Sequence, residues 1–245
     1  MQPRLLLVLG LTVLLTGCAS SVGGATDAAP AEPTAVPTAE AASASNPAST
    51  DAPEGYVSLG QGVSVPVGGP GACTTTSWLN TMKQDGEPWH VTLLGPDLVD
   101  MGPRDLAEGT VGLDDQGRIK TYTVAPGDVP SAIGDRFCLG NGISLSNINH
   151  TRTIHPRDVL ILTPDPTLAW IPYDSPTDAP DGFKQIPYQT AIEEMGDASA
   201  AGDIDLMRSI WADQLAPMTT DQADIDAVTQ ALDEGDMTVL RQMFP

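Results

Sequence analysis

Residues 121–163 read TYTVAPGDVPSAIGDRFCLGNGISLSNINHTRTIHPRDVLILT, and the pattern within them decides the fold. Tyr122-Thr123-Val124 predicts a strand, and Ala125-Pro126-Gly127-Asp128 a turn that leads into a helix. At the head of a helix, Asp128 can accept hydrogen bonds from the backbone N–H groups that have no partner in the first turn. Ile133 and Phe137 lie four apart and share one helix face. Gly140-Asn141-Gly142 breaks the helix after Cys138, and a second short helix carries Leu145 and Ile148, followed by Asn149. Ile154-His155-Pro156-Arg157-Asp158 forms a turn before a closing strand over Val159–Leu162. The predicted order is strand, helix, helix, strand.

That order, with these residues, resembles the LysM family. The matching residues are Tyr122 and Val124, the Gly127-Asp128 pair, Ile133 and Phe137, Leu145 and Asn149, Ile154 and Pro156, and Leu160 with Ile161. Three departures stand out. Val129 and Pro130 follow Gly-Asp, where the family has Thr and Leu. Gly134 replaces a usual Ala, which weakens a helix by about 1 kcal/mol. Arg157 stands where a Gly normally turns. The resemblance implies binding of N-acetylglucosamine-containing glycan, that is, peptidoglycan. The implied groove has Gly127, Asp128, Val129 and Pro130 on one side and Ile154, His155 and Pro156 on the other. The segment balances three Arg (Arg136, Arg152, Arg157) against three Asp (Asp128, Asp135, Asp158), which suits an uncharged sugar.

Working outward, residues 55–120 read as a small β-rich module. Val63, Val65 and Val67 alternate with other residues at a period of two. Trp89–Leu94 reads as a strand. Thr110–Leu113 and Arg118–Val124 flank the turn sequence Asp114-Asp115-Gln116-Gly117. Residues 164–245 read as a linker and a helical hairpin repeat. Ala201-Gly202-Asp203 recurs as Glu234-Gly235-Asp236, and Met207, Ile210 and Trp211 recur as Leu240, Met243 and Phe244. Each Gly should end one helix and each Asp cap the next. The expected fold class is α+β: a βααβ LysM unit packed on a small β-rich module, followed by the hairpin repeat.

The first 17 residues read as a signal peptide. The apolar run Leu5–Leu15 is shorter than the roughly 20 residues that a spanning helix needs. Leu15-Thr16-Gly17-Cys18 resembles a bacterial lipobox, which implies that Cys18 is lipidated and anchors the chain in a membrane. Residues 18–54 then form a disordered tether. Ala19–Pro53 is rich in Ala, Ser, Thr and Pro and has no aromatic residue, Lys or Arg. The expected location is the extracytoplasmic face of the cell membrane, with the folded part reaching into the cell wall. Cys73 and Cys138 remain, and outside the cytoplasm such a pair oxidises; two buried thiols are the alternative.

A net charge of −21 repels nucleic acid, and any wall contact should fall on neutral sugar. No cofactor or metal site is read: His90, His150 and His155 are the only histidines and lack a third ligand at suitable spacing. Asp203-Ile204-Asp205 lacks the Gly and the terminal Glu of a calcium loop. No acid–base pair or activated nucleophile points to an enzyme. Trp89, Trp170 and Trp211 read as core. The expectation is a peptidoglycan-binding lipoprotein without catalytic activity. The alternative is an envelope scaffold with a degenerate LysM fold, whose acidic helical C-terminus binds a partner protein.

Overall fold

The computed structural model describes residues 52–174 and 179–245 of the 245-residue chain. The expected signal peptide, the expected lipidation at Cys18 and the expected tether up to residue 51 lie outside the described residues. Among the described residues no helix is long and apolar enough to cross a membrane.

The fold is mixed α+β, with small antiparallel sheets and six α-helices. β1 (Tyr56–Gly60) pairs with β2 (Val63–Pro66), and β3 (Trp78–Met82) pairs with β4 (His90–Leu94). β5 (Thr110–Leu113), β6 (Ile119–Thr123) and β7 (Val159–Ile161) form a three-stranded sheet in the order β5–β6–β7. Between β6 and β7 run α1 (Pro130–Arg136) and α2 (Ser144–Ile148). β7 lies against β6 with Tyr122 opposite Leu160. Tyr122, Ile133, Phe137, Leu145 and Leu160 are buried in one core with Leu79 and Val91 of the β3–β4 hairpin.

The β5–β6 ladder crosses residue 120, so the strand that opens the 121–163 stretch is hydrogen-bonded on its other edge to the preceding segment. Further ties run the same way. Cys73 and Cys138 form a disulfide, with Cα atoms 5.7 Å apart. Ser77 N–H donates to the Cys138 carbonyl at 2.9 Å, and Gly140 N–H donates to the Ser77 carbonyl at 2.9 Å. The Asn141 side chain acts as a short strand: its Oδ1 accepts from Leu79 N–H at 3.0 Å and its Nδ2 donates to the Leu79 carbonyl at 2.7 Å. Asn149 does the same for Ile161, at 2.6 and 3.1 Å. The Gly-Asn-Gly break is thus a docking point for β3 as well as the end of a helix.

Gly134 has a packing role. A Cβ placed there would lie 2.3 Å from the Cα of Gly142, and one on Gly142 would lie 2.6 Å from the Cα of Gly134. The backbones of α1 and the Gly142 turn touch, which leaves no room for the alanine that helix propensity favours.

The expected capping role of Asp128 is corrected. Val129 occupies the N-cap position of α1 and makes no side-chain capping bond. The Asp128 carboxylate instead turns back toward the sheet, where four other donors converge on it. Pro130 leads α1 and brings no N–H of its own.

The second half of the molecule is helical: α3 (Gln185–Ala201), α4 (Ile204–Ile210), α5 (Gln222–Glu234) and α6 (Met237–Met243). Gly202 (φ +73°) and Gly235 (φ +68°) end α3 and α5 in the left-handed region. Asp203 accepts from Leu206 N–H, and Asp236 accepts from Thr238 and Val239 N–H. A π-helical turn (Trp211–Leu215) and a 3-10 turn (Ala216–Met218) carry the chain from α4 to α5. Ile192, Met195, Met207, Trp211, Val228 and Leu240 fill this second core.

Residues 169–173 form the wall between the two cores. Ala169, Ile171 and Tyr173 pack into the helical core, while Trp170 packs into the sheet core. This is the alternation of an extended chain buried on both faces. A segment that reads as linker is therefore shared structure.

Candidate functional site

The loop after β6 and the loop before β7 lie side by side. Val124 N–H donates to the Asp158 carbonyl at 2.9 Å, and Arg157 N–H donates to the Val124 carbonyl at 2.8 Å. These bonds bring the two predicted groups of residues to one end of the three-stranded sheet. Gly127 sits at φ +93°, which few residues other than Gly adopt without strain. Arg157 sits at φ +82°, so it keeps the left-handed backbone that a glycine would supply, at a cost of about 1–2 kcal/mol.

The seven predicted residues differ in what they can offer a ligand. Gly127, His155 and Pro156 are exposed, while Val129, Pro130 and Ile154 are half-buried. His155 N–H donates to the Asp158 carboxylate at 2.6 Å. Ile154 packs against the sheet core. Asp128 is buried and fully engaged. Its carboxylate accepts from Glu108 N–H (2.8 Å), Gly109 N–H (3.2 Å), Ala125 N–H (2.8 Å) and the Tyr122 hydroxyl (2.6 Å). Burial by itself raises its pKa, but the Tyr122 hydroxyl and the three N–H groups outweigh that and hold it below the usual carboxylate value. Asp128 is thus a structural anion. The Val129 N–H is also taken, by the Leu106 carbonyl at 2.9 Å.

Sequence reasoning missed this third element, the segment from Asp100 to Gly109. Arg136, almost completely buried, holds it in place. Its Nε and Nη2 grip Asp100 in a two-pronged ion pair at 2.7 and 2.8 Å, and its Nη1 donates to the Ala107 and Gly109 carbonyls. The guanidinium also lies over the Tyr122 and Phe137 rings, 5.6 and 5.2 Å from their centroids. Leu106 is half-exposed at φ +64° beside Val129. No local sequence signal announces the segment, because its partners are dozens of residues away.

A cavity of about 500 Å³ opens elsewhere, between the β3–β4 hairpin, α2, residues 170–174 and the start of α5. None of the seven predicted residues lines it. Trp89 and Lys83 do, together with Asn147, Trp170, Tyr188 and Asp224. Trp170 is core as expected, whereas Trp89 is only half-buried and forms part of the cavity wall. Lys83 Nζ lies 2.6 Å from Asp221 and 3.8 Å from Asp224. Burial pushes the Asp224 carboxyl up to about 6, against a hydrogen bond from Trp89 N–H and the nearby Lys83 charge.

No family model, curated protein or solved structure matches the chain. The reading of either site therefore rests on its own chemistry. Among the described residues, no cluster of His, Cys, Asp and Glu is arranged to hold a metal ion.

Proposed function

We propose that the chain is a lipid-anchored envelope protein that holds peptidoglycan through a LysM unit, using the paired loops around Gly127 and Ile154–Pro156. The observation that carries this reading is the juxtaposition of those loops by the Val124–Arg157 and Val124–Asp158 bonds, at one end of an antiparallel strand pair bridged by two short helices. The glycine-like backbone of Arg157 supports it as well. The N–H groups of Gly127 and Ile154 make no hydrogen bond within the described residues, and on this reading they donate to the sugar's amide carbonyl. Pro126, Pro156 and the Ile154 side chain supply apolar contact for an acetyl methyl group. Lipidation at Cys18 and the Ala/Pro-rich tether would place this surface within reach of the wall.

The test is a titration of N-acetylglucosamine oligomers into the delipidated protein, followed at backbone amides. Shifts centred on Gly127 and His155 are expected, and the exposed substitution Pro156→Glu should weaken retention on purified peptidoglycan at least tenfold. Unmoved amides in both loops at millimolar oligomer would overturn the reading.

One observation favours a second reading. The 100–109 segment takes the Val129 N–H, a donor, and engages the Asp128 carboxylate, an acceptor, leaving fewer hydrogen-bonding groups for a sugar on that side. On this reading the unit is a degenerate scaffold, and the helical half recruits a basic envelope protein. Fourteen acids against Lys184, Arg208 and Arg241 from residue 178 onward would supply the complementary charge. Retention on peptidoglycan that survives Pro156→Glu but requires a second protein would support it.

A further inference from the structure

The cavity walled by Trp89, Trp170 and Tyr188 has a composition that the loop site does not explain. Its aromatic rings have mostly used their polar tips on the protein itself. Trp170 Nε1 donates to the Ile148 carbonyl at 3.1 Å, and the Tyr188 hydroxyl donates to the Pro172 carbonyl at 2.7 Å. What these two residues present to the cavity is carbon surface.

Two polar groups on the same wall are left over. Asn147 Nδ2 is committed to the Asp174 carboxylate, which can only accept, so the Oδ1 faces elsewhere. That Oδ1 is buried and has no hydrogen-bond partner. Lys83 Nζ is buried as well and lies 2.6 Å from Asp221, a contact that uses one of its three N–H groups. The Asn147 Oδ1 lacks a donor, and the Lys83 ammonium has N–H groups beyond the one turned to Asp221. Both are satisfied by a ligand that carries donors and acceptors on an otherwise apolar ring.

The volume, about 500 Å³, lies within the roughly 300–1,000 Å³ typical of small-molecule sites. The Lys83 charge is offset by Asp221 at 2.6 Å, and the Asp174 and Asp224 carboxyl groups disfavour an anion, while the Asn147 Oδ1 calls for a hydroxyl or amide donor, which a quaternary ammonium group lacks. We infer that this cavity is a second, separate binding site, for a neutral saccharide of one or two pyranose rings. Its hydroxyl groups donate to Asn147 Oδ1 and accept from Lys83 Nζ, while its C–H face lies on the aromatic wall. The inference does not depend on the loop site, because none of the loop residues lines the cavity.

The experiment is a titration of the delipidated protein with maltose and N,N′-diacetylchitobiose, followed by calorimetry, tryptophan fluorescence and side-chain amide NMR, with choline and glutamate as charged comparators. A neutral disaccharide should bind with a change in Trp emission and a shift of the Asn147 side-chain amide resonance. Asn147→Ala should weaken maltose binding, and the fluorescence change that reports it, at least tenfold. Silence of both sugars at about 10 mM, a range that detects millimolar Kd, would overturn the inference. So would tighter binding of choline or glutamate, or sugar binding lost in Pro156→Glu but kept in Asn147→Ala. That last pattern would instead assign the sugar to the loops, so the failure of one site is distinguishable from the failure of the other.

Discussion

Lowering the pH should weaken the fold through His150. The ring is almost wholly buried among Trp170, Tyr173 and Phe244, with ring centroids 5.3, 5.6 and 6.2 Å away. Its Nε2 donates to the Ile171 carbonyl at 2.7 Å, so the neutral ring carries its proton there, and Nδ1 is buried without a partner. A second proton on Nδ1 would create a buried cation with an unpaired donor, and burial accordingly pushes the pKa down to about 3 from 6.5. Between those values the unfolded chain binds a proton that the native chain refuses. The stabilising contribution is therefore complete above about pH 6.5 and falls by roughly 1.4 kcal/mol per pH unit below it. From about pH 7.5 to about pH 5 the loss amounts to about 2 kcal/mol. Asp224 acts with the opposite sign. Its carboxyl is raised to about 6, so the native state holds a proton that the unfolded chain releases, and stability is gained as pH falls through that value. A comparison with His150→Gln cancels the Asp224 contribution, and Gln keeps a donor near the Nε2 position. Urea unfolding of both proteins at the two pH values should show the wild type losing about 2 kcal/mol more than the variant. Equal losses would refute the reasoning.

Two further outcomes follow from packing and cross-linking. Gly134→Ala should destabilise the protein by about 1–3 kcal/mol, because the 2.3 Å approach to Gly142 outweighs the gain of about 1 kcal/mol in helix propensity; a rise in Tm would contradict the close contact. Reducing the Cys73–Cys138 bridge, which spans 65 positions, should cost about 4 kcal/mol in the chain-entropy account, read as a drop in the urea midpoint between the native protein and the Cys73→Ser/Cys138→Ser double variant.

Residues 121–163 show what a sequence can reveal. Helix and strand positions there follow from local periodicity, and Tyr122, Ile133, Phe137 and Leu145 point inward because their spacing allows nothing else. Gly202-Asp203 and Gly235-Asp236 are equally readable, since a left-handed glycine and a capping aspartate act within three residues of themselves. Asp128 was misread because local rules make it a helix cap, whereas Glu108, Gly109 and Tyr122 reach it from across the sheet. The cavity was invisible for the same reason. Lys83, Trp89, Asn147, Trp170, Tyr188 and Asp224 come from five separate stretches, and only packing brings them together. Residues 169–173 lack polar punctuation strong enough to separate a buried extended segment from a linker.

The β5–β6 ladder has a practical consequence for anyone who would excise the 121–163 stretch as a portable cassette. Cut at residue 120, β6 keeps β7 on one side but exposes a bare edge on the other, a template for intermolecular pairing. Cys138 would lose its bridge, and Asn141 would lose Leu79 as a partner. A genetic exchange that moved this stretch alone would deliver an aggregation-prone fragment, so recombination that preserves the fold has to carry its upstream strands along with it.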